Sequence, residues 1–191
     1  MNQQNNWYQE LTLQFPDGTT AVLFLDMTRS GRHQPRQNMM PADWTKLDFE
    51  KCPSCTLINA GYCPAALSLE ETILTLRNRK STEVVTATAV DAENRSTAVR
   101  WPLQQVGAAF VQIAVFCSGC PVGGQFRAMV RDLRPFSTSR ELAKHLVYKR
   151  MLQHKGDVEA SAQAVVESLA PLREVFTQLF KRLQTVPQEA F

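Results

Sequence analysis

The spacing of the five cysteines constrains this chain more than any other feature of its sequence. Cys52 and Cys55 form one C-x-x-C pair, Cys63 follows shortly after, and Cys117 and Cys120 form a second pair far along the chain. Two short-spaced pairs on either side of a folded segment are typical of a tetrahedral zinc site, because each pair offers two soft sulfur ligands and folding brings the pairs together. Five candidates for four positions leave one thiol over.

The cellular compartment bears on what these thiols do. Residues 1–15 lack the basic and apolar regions of a signal peptide, so we expect a cytoplasmic protein. The apolar stretch 106–117 is shorter than the roughly 20 apolar residues that a membrane span needs, so it predicts a buried helix. We expect no membrane association. In a reducing cytoplasm, cysteines indicate metal binding or redox chemistry more readily than disulfides.

Prolines help to choose among the five cysteines. Cys52, Cys63 and Cys120 are each followed by proline, which favours an extended cysteine, and at Cys63 and Cys120 the proline also starts a predicted helix. A cysteine at a helix N-cap is stabilised as a thiolate by free backbone N–H groups, whereas Cys117 ends the apolar helix, where the dipole disfavours a thiolate. We predict Cys52, Cys55, Cys63 and Cys120 as ligands, with Cys117 in reserve; the alternative is that some of them are buried structural thiols.

Three short motifs carry a resemblance to a known family. They are "CPSC" at 52–55, "CPAA" at 63–66 and "SGCP" at 118–121, the last after an apolar helix. In this order they resemble a family of uncharacterised bacterial proteins of about this length, classed as a domain of unknown function, over roughly residues 7–180. The resemblance implies no activity, but the family pattern usually has another residue at the position of Cys117, which supports that thiol as the surplus one.

Alternating and β-branched patterns predict an α+β fold with a small, mostly antiparallel sheet of about five strands. The segments 7–15 and 21–27 predict a hairpin around the turn "PDGT", and 82–90 with 96–101 predict a second pair. A third strand is expected near 44–50, leading into Cys52, after a long polar loop over 28–43.

About five helices are expected to complete the fold. One is predicted near 64–77 with a capping box of Ser68 and Glu71, a second over 106–116, and a third from Val122 to Leu133. A capping box of Thr138 and Glu141 opens a fourth, which Gly156 ends, and Asp157 caps the last. We predict an α+β domain over 1–135 and a helical hairpin over 136–191 that packs on it as one compact unit.

The last predicted helix carries a long apolar stripe that Pro171 should kink or restart. Its members follow alternating spacings of four and three residues: Val158, Ala162, Val165, Leu169, Leu172, Phe176, Leu179 and Leu183. The stripe favours packing within the chain, because Val166, Val175 and Phe180 widen it beyond a strict seam. A homodimer through this helix is the alternative.

Charge gives no strong indication of a partner. The formal net charge is +3, from 21 basic and 18 acidic residues, so nucleic-acid binding would need a local patch. The candidates for anion or partner contact are Arg29, Arg32 and Arg36 in the polar loop, beside His33, with a second basic face at Arg127, Arg131 and Arg134. No aromatic platform accompanies them, so a solvated charged surface is favoured over a nucleic-acid interface.

Four thiolates fill all four coordination positions of a zinc ion, which is typical of a structural rather than a catalytic site. We find no nucleophile, base and orienting group in a convincing pattern and predict no catalytic residue. The sequence therefore predicts a non-enzymatic domain stabilised by structural zinc, with a regulatory or interaction role toward an unknown protein partner. The alternatives are a thiol or iron–sulfur redox sensor, and a nucleic-acid-binding module that uses the basic loop.

Overall fold

A computed structural model of the chain describes residues 8–26, 40–90, 94–130, 133–153 and 156–186. Within these ranges the protein has an α+β architecture built on a single antiparallel sheet with strand order β2-β1-β3-β4. The strands are β1 (Tyr8–Gln14), β2 (Thr20–Asp26), β3 (Val84–Val90) and β4 (Ser96–Pro102). The predicted α+β class is confirmed.

Both predicted hairpins are present in this sheet. β1 pairs with β2 around a turn in which Gly18 has a φ of 82°, and β3 pairs with β4. β1 and β3 join the hairpins in antiparallel register, with Leu11 opposite Ala89 and Leu13 opposite Ala87. These four side chains are almost fully buried, so one face of the sheet covers the core, as the alternating pattern predicts.

The prediction of a strand near 44–50 is wrong. The described residues therefore contain four strands rather than about five. Asp43–Thr45 forms a 3-10 turn, and Lys46 makes only an isolated bridge to Tyr62. Trp44 and Leu47, three residues apart, are both buried, a spacing that suits a tight turn rather than a strand. The 28–43 loop lies outside the described residues, except for its last four positions.

Four helices have three turns or more: α1 (Pro64–Leu76), α2 (Leu103–Cys117), α4 (Ser139–Gln153) and α5 (Val158–Gln184), whereas α3 (Arg127–Val130) is a single turn. The helix predicted from Val122 to Leu133 is thus much shorter, because Gly123–Phe126 forms a 3-10 turn before α3. The Gly123–Gly124 pair accounts for this, since glycine disfavours an α-helix by about 1 kcal/mol per residue relative to alanine. None of the described helices is both long and apolar enough to cross a membrane.

The caps of the last two helices are confirmed, and one predicted cap is wrong. Thr138 N donates to Glu141 Oε2 at 2.7 Å while Glu141 N donates to Thr138 Oγ1 at 3.2 Å, which is a reciprocal capping box. Asp157 accepts from Ala160 N at 2.9 Å, and Gly156, with a φ of 88°, ends α4. Ser68, by contrast, lies inside α1 and donates to Ala65 O, so the predicted box with Glu71 does not start that helix.

α5 packs its apolar stripe against the rest of the chain. Val165, Leu172 and Leu179 are buried in a core cluster that also contains Leu13 of the sheet and Phe116 of α2. This part of the stripe packs within the chain, but Val166 and Phe180, which were expected to widen the buried face, are exposed, as is Val158. A homodimer through this helix stays a prediction. α5 is continuous through Pro171 without a restart. The predicted domain boundary between residues 135 and 136 stays a prediction.

Candidate metal centre

The four cysteines predicted as ligands line one pocket. Cys52, Cys55, Cys63 and Cys120 all contribute to its wall, although they come from three separate parts of the chain. The pocket has a volume of about 400 Å³, which includes open solvent at its mouth. Most of the remaining wall is apolar, including Leu57, Pro64, Val122, Val175 and Leu179.

Cys63 reaches the pocket as the N-cap of α1. Pro64 occupies the first turn of that helix, and Cys63 has the extended conformation that a following proline favours. Its N–H donates to Thr45 O at 2.7 Å, which ties it to the 3-10 turn. The Cys63 side chain makes no capping hydrogen bond, so its sulfur is not engaged by the helix.

The first C-x-x-C pair forms a tight turn. Cys55 N donates to Cys52 O at 3.0 Å, and Pro53 and Ser54 occupy the turn positions between them. Both thiols are half-buried. Cysteines at this spacing are typical of pairs that bind a single zinc ion.

Cys120 lies in the turn between α2 and the 3-10 segment. Gly123 N donates to Cys120 Sγ at 3.5 Å, and Gly124 N donates to Cys120 O at 2.7 Å. The prediction that Cys120 is the N-cap of an α-helix is therefore wrong. Its sulfur still accepts a backbone N–H, as the sulfur of an N-cap cysteine does. Gly123, three residues after Cys120, packs directly against Val115 of α2.

Cys117 is separate from this pocket. It is the last residue of α2, is 5% exposed, and belongs to the hydrophobic core. Burial raises the pKa of its thiol to about 12, so it is a protonated, unreactive group at neutral pH. None of the five cysteines forms a disulfide.

Burial also affects the thiols of the pocket. It raises the pKa of Cys52 to about 11, and the neighbouring Cys63, Cys120 and Cys55 add to this rise, while Arg182 opposes it. The pKa of Cys120 is raised by burial, against the effect of the N–H groups of Gly123 and Val122. These two thiols need a nearby positive charge to ionise at neutral pH.

The thiols share a pocket without standing in coordinating positions. Across the described ranges, no group of three or more His, Cys, Asp or Glu side chains has a geometry that would already hold a metal ion. The pocket therefore collects the donor atoms but does not itself demonstrate a metal site.

Arg182 of α5 is the unexpected member of the pocket wall. Its Nη1 donates to Trp44 O at 2.8 Å and Lys46 O at 2.6 Å, and its Nη2 donates to Leu47 O at 3.1 Å. The sequence signal for it was present, because Leu172, Val175, Leu179 and Arg182 follow the spacing of the buried face of α5. A basic residue at a buried position of such a stripe is unusual.

The basic residues singled out in the sequence are only partly placed. Arg29, Arg32, Arg36 and His33 lie outside the described residues, as does Arg131. On the second face, Arg127 is half-buried and Arg134 is exposed. A nucleic-acid or anion contact through these residues stays a prediction.

Comparison with known proteins identifies a family without an assigned activity. The model of a domain of unknown function, DUF6901, matches residues 10–190. No curated protein and no solved structure matches the chain. The bacterial origin and the cysteine pattern expected from the resemblance stay predictions. Since the match covers nearly the whole sequence, the chain belongs to the DUF6901 family.

Proposed function

We propose that Cys52, Cys55, Cys63 and Cys120 bind one structural zinc ion. The observation that carries this proposal is the pocket itself, which is lined by these four thiols and not by Cys117. Thiolate is the ligand that zinc prefers in structural sites, and the order CPxC, CP, GCP supplies it from segments that only folding brings together. Coordination requires the four side chains to rotate toward a common point.

The backbone around the thiols supports the same proposal. Cys55 N donates to Cys52 O in a tight turn, the Cys63 side chain makes no capping hydrogen bond, and Cys120 Sγ accepts the N–H of Gly123. Backbone N–H groups that donate to a ligand atom orient it and favour its charged form. A bound cation offsets the unfavourable pKa of buried thiols, because it stabilises the thiolate directly.

We further propose that the domain is not an enzyme and that it acts by binding a protein partner or in regulation, in the reducing cytoplasm. Four protein ligands leave no open position on the ion for water or substrate. A homodimer is one form that such a partner could take. An iron–sulfur cluster is the alternative occupant, since it uses the same four thiolates.

Metal analysis of the purified full-length chain tests this proposal. We expect about one zinc per chain, lost in Cys63→Ser and Cys120→Ser, because each removes one of four soft ligands. Cys117→Ala is the matched control and should keep its zinc, since Cys117 lies in the core and outside the pocket. Alanine is preferred there because a serine hydroxyl would be buried.

Two results would contradict the zinc site. Iron together with visible absorbance would assign the pocket to a cluster. Metal-free protein that readily forms a disulfide between Cys117 and Cys120 would favour the redox sensor, a reaction that the raised pKa of Cys117 disfavours.

A further inference from the structure

Arg182 is buried to an extent that is rare for a charged residue. It is 2% exposed, and among the described residues it is the one charged side chain in the buried class. Arginine keeps its charge at any physiological pH, so the positive charge must be accommodated inside the protein.

The hydrogen bonds of Arg182 satisfy part of the guanidinium but do not neutralise it. It donates to the carbonyl oxygens of Trp44, Lys46 and Leu47, which are dipoles without net charge. These bonds use three of the five N–H donors of the side chain. The Phe49 ring, with its centroid 5.9 Å from Cζ, adds a weak attraction.

No carboxylate among the described residues forms an ion pair with Arg182. Glu50, three residues after Leu47, lies 3.7 Å from Nζ of the neighbouring Lys181. A buried cation without an anion is costly, and proteins retain one where an opposite charge is held nearby. A negative charge held in the pocket would offset this cost.

The four-thiol site supplies such a charge. Arg182 lines the same pocket as Cys52, Cys55, Cys63 and Cys120. Four thiolates around one divalent zinc carry a net double negative charge, which a single guanidinium halves. The carbonyl bonds hold the guanidinium at the pocket wall, so this opposite charge is in place before the metal arrives.

We propose that Arg182 is the counter-cation of the thiolate site, and that it couples metal binding to the docking of the C-terminal end of α5. This inference rests on the proposed metal site. The guanidinium bridges α5 to the 44–47 turn, and the same turn is bonded to Cys63, so the charged site and the end of the helix meet through one side chain. Because thermodynamic coupling is reciprocal, the free energy that docked Arg182 adds to metal binding equals the free energy that bound metal adds to the docking of α5.

Zinc affinity of single variants tests the role of charge. The wild-type chain, Arg182→Met, Arg182→Lys and Lys181→Met are titrated in competition with a chromophoric chelator, in reducing buffer at fixed pH. Arg182→Met should bind zinc about 10-fold to 100-fold more weakly, the usual effect of removing a partner of the ligands. Arg182→Lys should lose clearly less, because it keeps the positive charge.

Lys181→Met is the matched control. It removes the same charge from the adjacent residue, but that side chain is 50% exposed and faces Glu50, so solvent screens it and zinc affinity should stay near the wild-type value. If Arg182→Met does not fold, Arg182→Gln takes its place, and Arg182→Lys should still bind zinc more tightly than Arg182→Gln.

Hydrogen exchange gives a second readout that a merely structural arginine would not change. Zinc should slow amide exchange in residues 179–184 of the wild-type chain, and the slowing should be smaller in Arg182→Met. Equal zinc affinity in wild type and Arg182→Met, or equal losses in Arg182→Met and Arg182→Lys, would overturn the counter-cation role while leaving the metal site intact. A wild-type chain that binds no metal would overturn the metal site itself, and this inference with it.

Discussion

Gly123 packs the cysteine turn closely against α2. A Cβ atom added there would lie 2.5 Å from Val115 O and 2.8 Å from Val115 Cγ1. The first of these contacts is with the backbone of α2, which cannot move away as a side-chain tip can. The same residue donates its N–H to Cys120 Sγ, so the close approach fixes the donor as well.

We therefore predict that Gly123→Ala lowers the free energy of unfolding by about 1–3 kcal/mol or more, the range for overpacking a core. It should also weaken zinc binding, because relief of the contact displaces the Gly123 N–H from the sulfur. Denaturant unfolding and a zinc titration measure the two effects.

Gly124→Ala is the control at the next residue. Nothing lies within 4 Å of its added Cβ, so stability should be unchanged or slightly higher. Equal stability of the two variants would show that the turn yields easily and that the close packing is not a constraint.

At the scale of single residues, the sequence predicts which cysteines lie together but not which other residues line their pocket. The prolines after Cys52, Cys63 and Cys120, together with the position of Cys117 at the end of the apolar helix, predict a set of four thiols without Cys117, and these four line one pocket. Their role as ligands stays a prediction. The spacing of Arg182 indicates the buried face of α5, but its carbonyl partners at residues 44–47 are more than 130 positions away in the chain. No local pattern reports a contact of that range.

Among the secondary-structure elements, those with local signals agree best with the sequence. The hairpins follow from alternation and turn residues, and α4 and α5 begin at the caps that Thr138 and Asp157 predict. The failures have different causes. The turn at 43–45 depends on distant packing, because its carbonyl groups accept from Arg182 and Cys63 rather than from another strand. The segment after Cys120 forms a 3-10 turn because the Gly123–Gly124 pair disfavours an α-helix, and this turn packs beneath α2.

The cap of α5 gives a prediction at this scale. Asp157→Ala should lower the free energy of unfolding by about 1 kcal/mol, because Ala160 N loses its acceptor. Asp157→Asn keeps a side-chain oxygen and should remain within a few tenths of a kcal/mol of the wild type, as asparagine caps about as well as aspartate.

Denaturant unfolding of the zinc-loaded chain compares these variants. The loss should be independent of zinc, because residue 157 lies at the end of α5 opposite to Arg182. An Asp157→Asn variant as unstable as Asp157→Ala would contradict the capping role.

For the molecule as a whole, several separate parts of the fold meet at the thiol pocket. The loop with Cys52 and Cys55, the start of α1 and the turn after α2 meet there, and α5 closes one side through Val175, Leu179 and Arg182. Loops 51–63 contain little regular structure of their own. An ion at this point would substitute for the apolar packing that these loops lack.

Removal of the metal should therefore lower the melting temperature of the whole domain. By mass action, free zinc at a hundred times its dissociation constant stabilises the folded state by about 2.7 kcal/mol, so the melting temperature should rise with zinc and fall with chelator. Calorimetry of the full chain, with zinc added back after chelation, measures the effect. Cys117→Ala should keep this zinc dependence and Cys63→Ser should lack it. A wild-type melting temperature that is the same with zinc and with chelator would show that the ion does not stabilise this fold.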